Sequence, residues 1–273
     1  ILAMELPHLY GSIKRGETLP FALIASCFAY LSHTLLKAPF GIEDTPLLPP
    51  TACTLYHLPL ALPIGLSAGI LSYLFVRFKL SLDELPYTTI PRSLVFGFLV
   101  GFIALILPET LMWGEHRLGI LAAEMDDGQA YLATISPGYS ASLGLAKLVA
   151  TVLTIASGYP GGVVYALLFS GYMLGPKGWQ ILIHAIPRLA ALDDVSTMDD
   201  YVGPPSPRGI SAEVCAQALG ASLLAGVLRC PLGATLLLGW GSADDDNMVA
   251  LLLLSCFISV AVNPRSLSGQ VDD

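Results

Sequence analysis

Apolar segments of roughly membrane-spanning length recur along the chain, separated by short polar stretches. A helix needs about 20 apolar residues to cross the hydrocarbon layer of a bilayer. The clearest segments are residues 19–36, 58–76, 93–107, 142–155, 161–174, 178–186, 210–228 and 248–262. The pattern predicts an all-α, polytopic transmembrane protein whose helices are mostly short or interrupted by glycine and proline.

Two sharp interruptions divide what would otherwise be very long apolar helices. The first contains Gly158, Pro160, Gly161 and Gly162, and the second contains Arg229, Cys230 and Pro231. Backbone groups freed by such breaks cannot face lipid, so they must be buried in protein or line a wet cavity. Broken helices that point their N-termini toward the middle of the membrane are typical of anion and substrate sites. A simple helical bundle with proline kinks explains the breaks equally well.

Composition indicates that lipid is the solvent. Hydrophobic residues make up 54% of the 273 residues, charged residues only 12%, and the mean hydropathy is +0.69. A chain so poor in charge cannot cover a water-facing surface. The net charge of -8 and the lack of a basic cluster argue against nucleic acid as a partner. We therefore expect a multi-pass integral membrane protein whose partner is the lipid bilayer.

Neither an enzyme active site nor a metal site is indicated. The five cysteines are scattered without a C-x-x-C pair, which is typical of buried thiols. The five histidines are isolated, and no H-E-x-x-H motif occurs. Residues 158–162 lack the lysine and the hydroxyl residue of a phosphate loop, and Ser157 has no adjacent histidine base. The sequence predicts no catalytic residues, no metal and no cofactor.

Residues 147–175 read KLVATVLTIASGYPGGVVYALLFSGYMLG. They resemble the stretch of CLC-type (voltage-gated) chloride channels and anion/proton antiporters in which a helix ends in a serine-glycine turn and a new helix follows a Pro-Gly-Gly sequence. The resemblance implies that the backbone amides of Val163 and Val164 bind the anion, while Gly161 and Gly162 permit the sharp turn. The family phenylalanine is replaced by Val164 and the family proline by Ala166, which alters the expected pore wall.

Residues 218–241 are similar to a second family stretch, in which a small-residue helix is followed by an arginine, a proline and another short helix. Arg229 and Pro231 fall in place, and the small residues favour close helix packing. Trp240 stands where the family has a glutamate. Together with Gly158 and Pro160, Arg229 and Pro231 are candidates for structural or gating roles.

The first residues of the chain resemble the family's F-A-L-E segment. Glu5 matches its retained glutamate and is a further structural or gating candidate, whereas Leu6 occupies the place of the acidic residue that relays protons in coupled members. Because leucine cannot relay a proton, the resemblance favours passive or weakly coupled transport.

Residues 108–116 resemble a helix-end pattern of the family. Glu115 and His116 in this segment are either proton-transfer groups or part of a helix cap at the membrane interface.

The resemblance implies a CLC core in part, mainly its second inverted repeat. Residues 1–18 would form the end of the first repeat and the junction, and residues 19–273 the second-repeat helices. CLC proteins are homodimers, so we expect a homodimer and regard the helix over residues 210–228 as a plausible interface. The chain begins in the middle of an apolar stretch, so we expect a piece of a longer protein that does not conduct chloride by itself.

The function implied is movement of chloride, as the transported ion, across a membrane, with the anion held at helix N-termini. The alternative is a divergent, non-conducting homologue with a scaffold or regulatory role, motivated by Val164, Ala166 and Trp240. An unrelated secondary transporter with broken helices would explain the composition but not the order of the motifs.

Overall fold

The computed structural model describes Cys53 and residues 55–85, 89–111, 136–158, 163–185, 210–239 and 246–263. Within these ranges the chain forms seven α-helices and no strand, which confirms the all-α prediction. The helices are α1 (Ala61–Asp83), α2 (Thr89–Ile106), α3 (Pro137–Ala156), α4 (Val163–Ala185), α5 (Ile210–Leu228), α6 (Pro231–Gly239) and α7 (Asp246–Val262). A 3₁₀ segment, Leu55–Leu60, precedes α1, and a 3₁₀ turn, Pro108–Thr110, follows α2.

Two of these helical stretches are long and apolar enough to cross a bilayer, namely Leu55–Asp83 with 29 residues and Gly138–Ala156 with 19. The apolar segments read from the sequence coincide with helices wherever the structure describes them. Residues 19–36 lie outside the described ranges.

The sequence pattern suggested that proline and glycine interrupt this segment, but α1 is continuous. Pro63 lies in the first turn, where an amide N–H would have no partner within the helix. Gly65 and Gly69 bring α1 close to α7. A Cβ on Gly65 would lie 2.7 Å from the Ser255 carbonyl oxygen, and one on Gly69 would lie 2.6 Å from the Val262 Cβ. The glycines therefore serve packing between helices rather than a break.

Helix α5 forms the centre of the described fold. Every residue from 214 to 228 is buried, and the helix packs against α1, α4, α6 and α7. Its small side chains make this enclosure possible, because they let several neighbours approach at once. The suggestion that α5 forms an interface between subunits is therefore wrong for residues 214–228, because their surface is already covered within one chain.

Helices α4 and α5 touch backbone to backbone. A Cβ on Gly171 would overlap the backbone of Gly220, and a Cβ on Gly175 would overlap the backbone of Ala216. The sequence pattern divided this region into residues 161–174 and 178–186, but the structure has one helix that continues through Pro176. The close packing on α5 at Gly171 and Gly175 holds the helix next to the proline, so a lost backbone hydrogen bond does not end the helix.

The outer faces of α1 and α2 are apolar and exposed. On α1 the exposed side chains repeat every four residues, at Leu62, Leu66, Ile70, Leu74 and Phe78. On α2 they include Leu94, Phe98, Phe102 and Leu105. Such continuous apolar faces would be unfavourable in water and are what a helix presents to lipid.

Replacing Gly171 by alanine is expected to lower the stability by about 1–3 kcal/mol, because the added methyl group would push α4 away from α5. Gly178 lies on the same helix with open space at its Cβ position. There the same substitution should be neutral or stabilising by up to about 1 kcal/mol, since alanine favours helix. Thermal unfolding midpoints of the two variants in detergent test this, and equal midpoints would contradict the packing argument.

Candidate functional site

The turn after α3 depends on a glycine. Helix α3 ends at Ala156, and Gly158 adopts a φ of 85°, in the left-handed region that side chains rarely enter. Its N–H donates to the Ile155 carbonyl over 3.0 Å. The predicted serine-glycine turn is therefore present, and Gly158 has the role of a helix-ending residue.

Helix α4 begins at Val163, directly after the predicted Pro-Gly-Gly turn. The first N–H groups of a helix have no partner within the helix, so a helix start can present amides such as those of Val163 and Val164 to an anion. Both valine side chains are half-buried and pack against the main core. Pro160, Gly161 and Gly162 lie outside the described residues.

The start of α4 lies at the same end of the bundle as the break after α5. Residue numbers rise along α4 as they fall along α5 at their two glycine contacts, so the helices are antiparallel. Continuing that register places Val163 level with Leu228, the last residue of α5. The fold therefore brings two of the predicted site regions, around Val163 and around Arg229, to one level.

The break after α5 is built from an unusual backbone conformation. Arg229 has a φ of 56°, which is uncommon for a residue with a side chain. The N–H of Cys230 then donates to the Ala225 carbonyl over 3.2 Å, which closes the end of α5. Pro231 begins α6, at the helix position that proline favours. The predicted break is confirmed.

Arg229 also joins the ends of two helices. Its guanidinium donates to the Asn263 carbonyl over 3.2 Å. The Asn263 side-chain amide in turn donates to the Gly226 carbonyl over 2.9 Å. Helix carbonyl ends carry partial negative charge, so an arginine between the ends of α5 and α7 is well placed electrostatically. This supports the structural role expected of Arg229.

Lys147 is a buried charged residue that the sequence analysis did not select. It lies in α3, and its ammonium group donates to the Thr110 carbonyl over 2.7 Å, at the end of the turn after α2. In the same region the Tyr139 hydroxyl donates to the Glu109 carboxylate over 3.2 Å. A lysine inside the apolar segment of residues 142–155 was the available signal, but its partner is distant in sequence.

Several sequence candidates lie outside the described residues: Glu5, Glu115, His116 and Trp240. Among the residues that are described, no group of three or more His, Cys, Asp or Glu side chains could hold a metal ion. The described site offers amide donors at a helix start and a guanidinium at a neighbouring helix end. Such groups can bind an anion.

A protein-family model described as voltage gated chloride channel matches residues 1–264. The chain belongs to this family. The chloride channel protein CLC-e of Arabidopsis thaliana is 30% identical to it over 222 residues, which is 78% of this chain.

The aligned stretch covers 29% of that plant relative. Membership confirms the family resemblance and the assignment to integral membrane proteins. Members of the family are channels or transporters rather than enzymes, and they are generally dimeric.

Replacing Gly158 by alanine should destabilise the protein by about 1–2 kcal/mol, because its left-handed backbone strains a side chain even where space is open. Gly138 in the first turn of α3 is a matched control, since its Cβ position is also open and no left-handed φ is found there. Thermal unfolding in detergent should show a lower midpoint for G158A than for G138A. The reverse order would contradict the assigned turn.

Proposed function

We propose that this protein moves chloride across a membrane, with the anion held by the backbone amides of Val163 and Val164. The observation that carries the proposal is the start of α4 at Val163, in a chain of this family. Amide donors suit the task irrespective of side chain, so valine at both positions is compatible with an anion site.

The proposed mechanism is electrostatic. A helix start offers partial positive charge equivalent to roughly half an elementary charge. Partial charges attract a partly dehydrated anion without trapping it, and conduction requires that the ion also leaves. The guanidinium of Arg229 lies at the same end of α5, but its contact with the Asn263 carbonyl keeps it at the neighbouring helix end. We assign Arg229 a structural or gating role, together with Gly158, Pro160, Pro231 and Glu5.

Transport is proposed to be passive or weakly coupled to protons. Leu6 replaces the acidic residue that proton-coupled members use, and leucine has no group that exchanges protons. We further propose that residues 19–273 correspond to the second inverted repeat and residues 1–18 to the preceding junction. The transported ion would then cross a pathway that both repeats of the family core build.

A homodimer is the expected assembly, and α6 and α7 offer the best surface for it. Helix α6 has nine residues, which is too short to cross a bilayer, so its ends need protein around them. Yet Leu232 and Leu236 on α6 are exposed, as are Leu254 and Phe257 on α7. A second copy of the chain would cover these side chains.

Val163→Pro removes one amide donor and is expected to lower chloride efflux from liposomes about tenfold, an effect of the size seen when a charge-assisted hydrogen bond is lost. The helix should still form, because α3 and α6 already begin with proline. The matched control Val163→Ala keeps the amide and shortens the side chain.

Efflux that falls about tenfold with V163P and is kept with V163A, at equal folded yield of the full-length protein, would support the anion site. Equal efflux from both variants would contradict it. A well-folded parent protein without any efflux would instead favour the non-conducting homologue.

The dimer surface is tested by cysteine cross-linking in membranes. Leu236→Cys and Leu254→Cys should each give a cross-linked dimer with a short bifunctional maleimide, because the proposed contact lies on α6 and α7. Phe98→Cys on α2 is the control, since Phe98 is 74% exposed and assigned to lipid. Cross-linking at Phe98 but not at Leu236 would move the interface to α2.

A further inference from the structure

One peptide group at the end of α3 is held on both sides. The Gly158 N–H donates to the Ile155 carbonyl over 3.0 Å within the last turn. The carbonyl of the same peptide unit belongs to Ser157, and it accepts a hydrogen bond from the Ser93 hydroxyl on α2 over 2.8 Å. A peptide unit is planar, so fixing its carbonyl and its N–H fixes the orientation of the whole plane.

Ser93 is itself firmly placed. It lies near the start of α2, where Phe96 packs with Leu153 and Ala156 of α3 in a small buried cluster. This packing holds the start of α2 against the end of α3. The hydroxyl of Ser93 therefore reaches the Ser157 carbonyl from a fixed position.

The residue before Ser93 fastens α2 to the end of α1. Arg92 pairs with Asp83, and the same carboxylate also pairs with Lys79. The Arg92 guanidinium lies 5.7 Å from the centre of the Phe96 ring, within the range of a cation–π contact. These ion pairs and the aromatic contact hold the start of α2, and with it Ser93, against the end of α1.

The orientation of this peptide sets the direction in which the chain leaves α3. Gly158 lacks a Cβ and can adopt a wide range of φ values, so its own backbone imposes little direction. The chain then reaches α4 within a few residues, at residue 163. Packing on α5 fixes the axis of α4, but without a fixed peptide at Gly158 the chain would enter the first turn of α4 in a variable direction. The amides of that turn would then lose their fixed orientation.

We propose that Ser93 is a positioning residue for the anion site, acting through the Ser157–Gly158 peptide. The functional part rests on the proposed chloride transport. The fixed orientation of the peptide rests only on its two hydrogen bonds, with the Ser93 hydroxyl and with the Ile155 carbonyl. Ser93 does not contact the ion in this proposal; it sets the geometry that lets the α4 amides discriminate among anions.

The test uses Ser93→Ala, with Ser93→Thr as the variant that restores the hydroxyl. Ser81→Ala is the matched control, because the Ser81 hydroxyl also donates to a carbonyl, that of Arg77, within α1 and away from the turn. The full-length protein is reconstituted in liposomes, and the ratio of chloride to nitrate efflux is measured. This ratio does not depend on how much protein is folded.

We expect S93A to change the ratio about fivefold, the factor by which one net hydrogen bond shifts an equilibrium. S93T and S81A should keep the parent ratio. An unchanged ratio in S93A would overturn the role in selectivity.

Deuterium uptake by the peptide that spans residues 153–163 gives a readout independent of transport. Uptake should rise in S93A and return to the parent level in S93T, because the pinned peptide opens more often without the hydroxyl. Equal uptake in the parent protein and S93A would overturn the pinning itself. A parent that moves no chloride would contradict the proposed transport function, and deuterium uptake would still decide whether Ser93 holds the turn.

Discussion

The need to pair backbone polar groups without the help of water governs this structure. In hydrocarbon an unpaired N–H or C=O costs several kcal/mol, and each helix end leaves such groups without partners in the helix. The described part of the chain meets this need with side chains from other helices. These bonds run from Ser93 to the Ser157 carbonyl, from Lys147 to the Thr110 carbonyl and from Asn263 to the Gly226 carbonyl. Each of them also connects two helices, so pairing the ends and assembling the bundle are one process.

Close packing around α5 provides the second support. Lipid tails are as apolar as leucine, so helices in a membrane gain little from burying large apolar side chains against each other. The contacts at Gly171 and Gly175 instead bring backbones together and maximise dispersion contacts over a long antiparallel pair. The same contacts set the register that places Val163 level with the end of α5. Helix packing therefore determines where the proposed anion site lies.

The two interruptions of the apolar pattern, one after α3 and one after α5, have different roles. At the first, a left-handed glycine ends α3 a few residues before α4 begins at Val163. At the second, Arg229 takes a left-handed conformation itself and places its charge between two helix ends. The proposed chloride pathway would use such positive helix ends. The replacement of the family phenylalanine by Val164 leaves the amide donors intact, so it changes the wall of the proposed site more than its binding groups.

The sequence by itself determined the helical class, the family and the two breaks. These follow from local features: apolar segments of fixed length, glycine at a position that needs a left-handed backbone, and proline at a helix start. Only the tertiary structure decided that Gly65, Gly69 and Pro176 lie inside continuous helices, because packing partners compensate for what those residues lose locally. The tertiary structure likewise decided that α5 is enclosed within one chain. It also decided that Ser93 and Lys147 donate hydrogen bonds to carbonyls 64 and 37 residues away in sequence. The physical reason is that propensity and hydropathy act within a few residues, whereas a hydrogen bond between helices depends on their register, which only the packed bundle specifies.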